Sequence, residues 1–249
     1  MQNQQVGRWS QLQGAPEVNT LVPGMDFRLP QYRRAVFLRF YDFHLRYRAH
    51  PGCVYYLMPW LAKHYNWTME EKLWFAFING NTQNSVTSWL IFQQFPILVP
   101  GISTEEWFNK NWPRLAFDTD RRYQKKNFCR AATRYWELVS QWKGRQQELL
   151  TRKSFRAYWE VATKQLYGFG RLSAFSYLEY LRIMGLPLEC DNLFLENMEG
   201  SKSPRNGLAI VLGRDDLDWR KDSPFQGEYN GEVLAWLEEE AGQLLQDAK

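Results

Sequence analysis

Apolar and aromatic positions recur at three- and four-residue spacing through most of the chain. Over residues 31–48, Val36, Phe37, Phe40, Phe43 (or His44) and Tyr47 mark one face of a helix with an arginine-rich back. His50-Pro51-Gly52 stops it. Thr68-Met69-Glu70-Glu71 reads as a capping box that opens a helix running to about residue 78. Asn79-Gly80-Asn81 then reads as a turn, and 85–95 as a further helix closed by Pro96. Ser103-Thr104-Glu105-Glu106 reads as a second capping box, before a short helix to Trp112-Pro113. A long basic helix is predicted over 121–142, others over 151–166, 172–184 and 232–245. Residues 208–212 are ambiguous between helix and strand. Consecutive alternating strands are nowhere legible, so the predicted class is mainly α. Residues 1–30, with Pro16, Pro23 and Pro30, read as an N-terminal arm, and 31–249 as a single helical domain.

Composition narrows the class. Twelve Trp, 13 Tyr and 16 Phe exclude a disordered chain. A mean hydropathy of −0.54 and the absence of a long apolar run argue against a membrane span. The opening MQNQQVGRWSQLQG lacks the apolar stretch of a signal peptide. Cys53, Cys129 and Cys190 are odd in number and far apart, which fits a reducing, cytosolic setting better than a disulfide framework. The charge is unevenly spread. Residues 121–164 hold twelve Lys/Arg against three Glu, whereas 214–249 hold four against ten acids. The basic, aromatic middle suits a polyanionic partner, or is a solvated helix face.

Four local patterns could carry chemistry. In Leu166-Tyr167-Gly168-Phe169-Gly170-Arg171 a Gly-x-Gly turn joins two helices, with a cation beside it. Outward amides at a helix N-terminus bind phosphate, though such a turn also serves as a plain connection. In Glu199-Gly200-Ser201-Lys202-Ser203-Pro204-Arg205-Asn206-Gly207, small residues, hydroxyls and two cations form a candidate phosphate nest or an ordinary exposed turn. Asn79, Asn81, Gln83 and Asn84 crowd amides between greasy helices. They could line a pocket for a base edge, or simply cap helices. His44 is a candidate proton carrier or a half-buried helix residue. Of the aromatics, most fall in the core pattern, and Tyr55, Tyr56 and Trp60 are the first candidates to stack on an extruded base. His44, His50 and His64 show no metal-ligand spacing.

Taken together, FYDFHLRYRAHPGCVYYLMPWLA, EEKLWFAFINGNTQNSVTSWLIF, GFGRLSAFSYLEYL and ENMEGSKSPRNGL resemble one family over about residues 32–219. It is that of the phage-type amino acid:DNA transferases, also called α-glutamyl/putrescinyl thymine pyrophosphorylases. The resemblance implies a helix-hairpin-helix fold like that of DNA glycosylases, with the hairpin at 167–171. It implies action on double-stranded DNA containing pyrophosphorylated 5-hydroxymethyluracil, where an amino acid or polyamine displaces pyrophosphate. It also implies a cytoplasmic setting, that of the host cell for a phage-encoded protein.

On this resemblance, Gly168, Gly170, Arg171, Arg121 and Arg122 would grip DNA. Tyr55, Tyr56, Trp60, Asn79, Asn81, Gln83 and Asn84 would hold the base. Ser201, Lys202, Ser203 and Arg205 would hold the pyrophosphate. Asp191, 21 residues beyond Gly170, falls where glycosylases carry their essential carboxylate. It is the first choice of base and His44 the second; Asp191 as a cap of the next segment is the alternative. No resident cofactor is implied with certainty, and magnesium is the one the pyrophosphate chemistry admits. A base-excising enzyme and a non-catalytic DNA-binding protein remain the alternative functions.

Overall fold

The computed structural model describes residues 24–47, 54–141, 155–188, 195, 203–217 and 231–247. The described residues form α-helices and short 3-10 segments and contain no strand, so the protein is mainly α. The chain divides into two compact units, Met1–Pro51 with Leu193–Lys249, and Gly52–Asn192. Much of the predicted arm, through residue 23, lies outside the described residues.

In the first unit, α1 (Pro30–Tyr47) packs on α9 (Ser203–Val211), and α9 on α10 (Gly231–Asp247). Leu195, Ala209, Leu217, Leu234 and Leu237 form the core, covered by Leu208, Leu212, Val233 and Trp236. Burial of these side chains, at about 25 cal/mol per Å² of apolar surface, is the main force holding the unit. The arginine-rich back of α1 has partners here: Arg33 pairs with Asp215 at 2.6 Å, and Arg34 with Asp247. The ambiguous segment is helical, and α9 begins at Ser203. The expected loop over 199–207 is therefore corrected from 203 onward. Pro204 sits in the first turn, where its missing N–H costs no helical hydrogen bond.

The second unit holds α2 (Val54–His64), α3 (Met69–Thr82), α4 (Ser85–Gln94), α5 (Ile102–Asn111), α6 (Phe128–Gln141), α7 (Phe155–Gln165) and α8 (Arg171–Ile183). α3 is its centre. Every residue from Leu73 to Thr82 is buried, as expected of a helix packed on all sides. α8 and α4 flank it. Trp74, Phe77, Tyr135 and Phe169 form a ring stack through the core, with Phe77 and Phe169 parallel at 5.0 Å. The capping box is present: the Thr68 hydroxyl accepts from Glu71 N–H, and the Glu71 carboxylate accepts from Thr68 N–H.

Three expectations are corrected in this unit. Asn79-Gly80-Asn81 is no turn but the last helical turn of α3, which ends at Gln83 with φ 51°. Gly80 serves close approach: a Cβ there would lie 3.2 Å from Phe169 Cζ and 3.2 Å from Ser173 O of α8. The second capping box does not form. α5 starts at Ile102 behind Gly101, and the Thr104 hydroxyl donates instead to Val99 O at 3.1 Å. The long basic helix is split, with Thr119–Asn127 wound as a 3-10 helix before α6. Tertiary hydrogen bonds of Arg121 and Lys125 hold this tighter segment, and helical periodicity carries no signal of them.

Candidate nucleic-acid interface

The turn between α7 and α8 fixes the geometry. Gly168 adopts φ +73°, which favours glycine, and Gly170 is the N-cap of α8. No side chain caps that helix start, and Ala174 N–H returns to Gly170 O. Arg121 anchors the turn from behind. It is 5% exposed. Its guanidinium donates to Asn81 O at 3.1 Å, to Asn81 Oδ1 at 2.7 Å and to Gly168 O at 3.0 Å. One planar fork thus ties the C-terminus of α3 to the glycine turn, a task suited to arginine.

The four amides expected to face a base all have partners within the protein, and two of them are buried. Asn79 and Asn81 are each 2% exposed. Asn79 Oδ1 accepts from Ser88 Oγ at 2.8 Å, and Asn81 Nδ2 donates to Phe77 O. Gln83 Nε2 donates to Gly80 O, and Asn84 caps α4 while donating to Asp118 at 2.9 Å. Thr82 Oγ1 and Ser88 Oγ lie 2.7 Å apart. Tyr55 joins this network through the neighbouring Tyr180 ring, whose hydroxyl is hydrogen-bonded to Asn79. Trp60 lies elsewhere: it is 56% exposed and stacks on His64 at 4.6 Å, in a surface row that continues through Tyr65 to Trp89. Tyr56 is also exposed.

Around the turn lies open positive charge. Arg122, Lys126 and Arg130 are exposed, Arg134 is exposed but paired with Glu137 at 2.9 Å, and the Arg130 guanidinium sits 4.6 Å from the Tyr167 ring in the turn after α7. Arg122 lies over Tyr123, itself 68% exposed. Arg171 is half-buried.

Sequence reasoning missed Glu179. Its Oε2 accepts a 2.7 Å hydrogen bond from the Tyr55 hydroxyl. Burial raises its carboxyl above its ordinary value, opposed by the Tyr55 hydrogen bond and Arg182. Tyr55 is in turn pushed up, first by burial and then by Glu179. The available signal was a lone acid within the apolar pattern of 172–181.

The remaining site residues divide as follows. His44 sits in α1 of the first unit, edge-on to Phe40 at 4.4 Å and to Phe43 at 5.9 Å. Arg205, in α9 of the same unit, is 1% exposed. Asp191, Ser201 and Lys202 lie outside the described residues, and of Ser203 only the backbone is described. No group of three or more His, Cys, Asp or Glu assembles among the described residues. Among them, too, no helix is long and apolar enough to cross a membrane.

A basic face around an uncapped helix start defines a class of protein suited to a polyanion, and comparison with known proteins gives the family. A family model described as amino acid:DNA transferase matches residues 53–244, and the chain belongs to that family. A serinyltransferase of Salmonella phage ViI is 36% identical over 166 residues, covering 59% of this chain and 39% of that protein. The chain therefore spans well under half the length of this relative. No solved structure matches.

Proposed function

We propose that the chain binds duplex DNA carrying pyrophosphorylated 5-hydroxymethyluracil and transfers onto it the amine of an amino acid. The observation that carries this reading is the glycine turn, anchored by Arg121 and flanked by exposed cations, in a chain of the amino acid:DNA transferase family. The turn amides at Gly170–Arg171 and the cations Arg122, Lys126 and Arg130 grip phosphates, positioning the duplex without reading sequence. Serine is the first amino acid to try, since one relative bears the name serinyltransferase.

In the reaction the amine nitrogen attacks the exocyclic methylene carbon. A C–N bond forms, the C–O bond breaks, and pyrophosphate leaves with the electron pair. The arriving ammonium must first lose a proton to a base. Asp191 is proposed for that role, with His44 the second choice. Ser201, Lys202, Ser203 and Arg205 are proposed to neutralise the leaving pyrophosphate. The buried position of Arg205 limits it to acting from within its unit. Tyr55, Tyr56 and Trp60 are proposed to receive the extruded base.

The test incubates pyrophosphorylated DNA with the protein and an amino acid mixture that includes serine, followed by mass analysis of the nucleosides and a pyrophosphate assay. A thymine bearing the amino acid through its nitrogen on the exocyclic methylene, with equimolar pyrophosphate, is expected. Abasic sites would replace this reading with base excision, and DNA binding without either product would leave a binding protein.

A further inference from the structure

A cleft of about 280 Å³ opens beside α4 and α5, lined by Leu90, Gln93, Gln94, Trp107, Asn111, Arg114 and Leu115. Its composition is unlike the core. It is lined by the Trp107 indole, by the amides of Gln93 and Gln94, by Asn111, whose Nδ2 already donates to Trp107 O at 2.8 Å and whose Oδ1 is left to accept, and by the positive charge of Arg114. Arg114 is exposed, and its guanidinium has no ion pair or hydrogen bond among the described residues. Its backbone is nevertheless fixed. It ends the 3-10 turn Trp112–Arg114, and Lys125 Nζ bridges the carbonyls of Trp112 at 2.7 Å and Leu115 at 2.5 Å. An exposed planar fork on a held turn, in a cleft also lined by amides and an indole, suits a small carboxylate bearing polar groups.

We infer that this cleft binds the free amino acid that serves as amine donor, with Arg114 on its α-carboxylate and the amides of Gln93, Gln94 and Asn111 on its polar atoms. The inference rests on the transferase reading above and adds to it a site and a chemical basis for choosing amino acids over simple amines. The cleft also lies close to the clamped end of α3. Leu115 is three residues from Asp118, a chain reach of at most about 11 Å. Asp118 bonds both Asn84 and the Thr82 carbonyl. Between them Ala116 N–H donates to Thr87 Oγ1 at 2.9 Å. A second connection runs along α4, where Leu90 lines the cleft three residues beyond Thr87, about 4.5 Å along the helix axis.

The test compares the full-length protein with Arg114→Gln, whose exposed position leaves folding intact by circular dichroism. Calorimetric titration of L-serine into DNA-free protein should show binding that Arg114→Gln weakens by roughly tenfold to a hundredfold, the loss of a charge-assisted fork. Ethanolamine, which lacks the carboxylate, should bind both proteins equally weakly. In turnover, Arg114→Gln should raise KM for serine by a similar factor while kcat and duplex affinity stay unchanged. Equal serine affinity in the two proteins overturns the inference, as does absence of serine binding to wild type. Weakened duplex binding with serine binding intact would make Arg114 a phosphate contact and also overturn it. Failure of the transferase reading would show differently, as no product from wild type with any amine, while the titration still decides the cleft.

Discussion

Arg121 separates two accounts of the basic region. The sequence places it among the DNA contacts, whereas the structure buries it between Asn81 and Gly168. Replacing it with Met removes three hydrogen bonds from a charged donor, roughly 1.5–3 kcal/mol each, or about 5–9 kcal/mol gross. Relief of guanidinium desolvation, itself several kcal/mol, leaves a net loss of about 2–4 kcal/mol. For a chain of this size that lowers Tm by roughly 5–15 °C. Arg121→Lys should rescue little, because a single ammonium nitrogen cannot reproduce the planar fork whose three nitrogens meet Asn81 O, Asn81 Oδ1 and Gly168 O. The assay pairs thermal unfolding with duplex affinity at several salt concentrations. A buried clamp releases no counterions on DNA binding, so the salt slope should not change. A wild-type Tm with a slope smaller by about one would mark a lost phosphate contact and refute the clamp.

Gly80→Ala sets a helix-propensity gain of about 1 kcal/mol against overpacking of about 1–3 kcal/mol, and net destabilisation is expected, since Ser173 O is backbone and Phe169 is locked on Phe77. A raised Tm would show that α8 can move aside. The raised carboxyl of Glu179 means the fold prefers it protonated, so its contribution to stability is fully present below pH 4.5 and is lost as pH rises through the raised value. Glu179→Gln should therefore flatten the fall of Tm above pH 4.5, and parallel curves would contradict the assignment. Charge reversal at Arg122 and Arg130 together should weaken binding to any duplex sequence and shrink the salt slope by about two, as read by fluorescence anisotropy. Asp191→Asn should keep the wild-type Tm and cut single-turnover conversion by roughly 10²–10⁴, whereas a lower Tm with normal turnover would make Asp191 a cap.

The sequence by itself determined the mainly α class, the Thr68 capping box and most helix limits, because these depend on neighbours three or four residues apart. It also determined the family, whose distinctive residues recur in recognisable runs. Only the tertiary structure decided what the polar residues do. Asn79 and Asn81 look like a turn in one dimension, yet Ser88 and Arg121, supplied from other elements, satisfy their amides and let the helix continue. Arg121, Arg122 and Arg130 read alike in a basic run. Burial alone distinguishes the clamp from the exposed pair, and burial depends on packing across 40 or more residues of chain. Glu179 became notable only when Tyr55, 124 residues away, was placed against it. Local patterns record the preferences of a backbone segment. The partner of a polar side chain is settled by which distant segments fold against it.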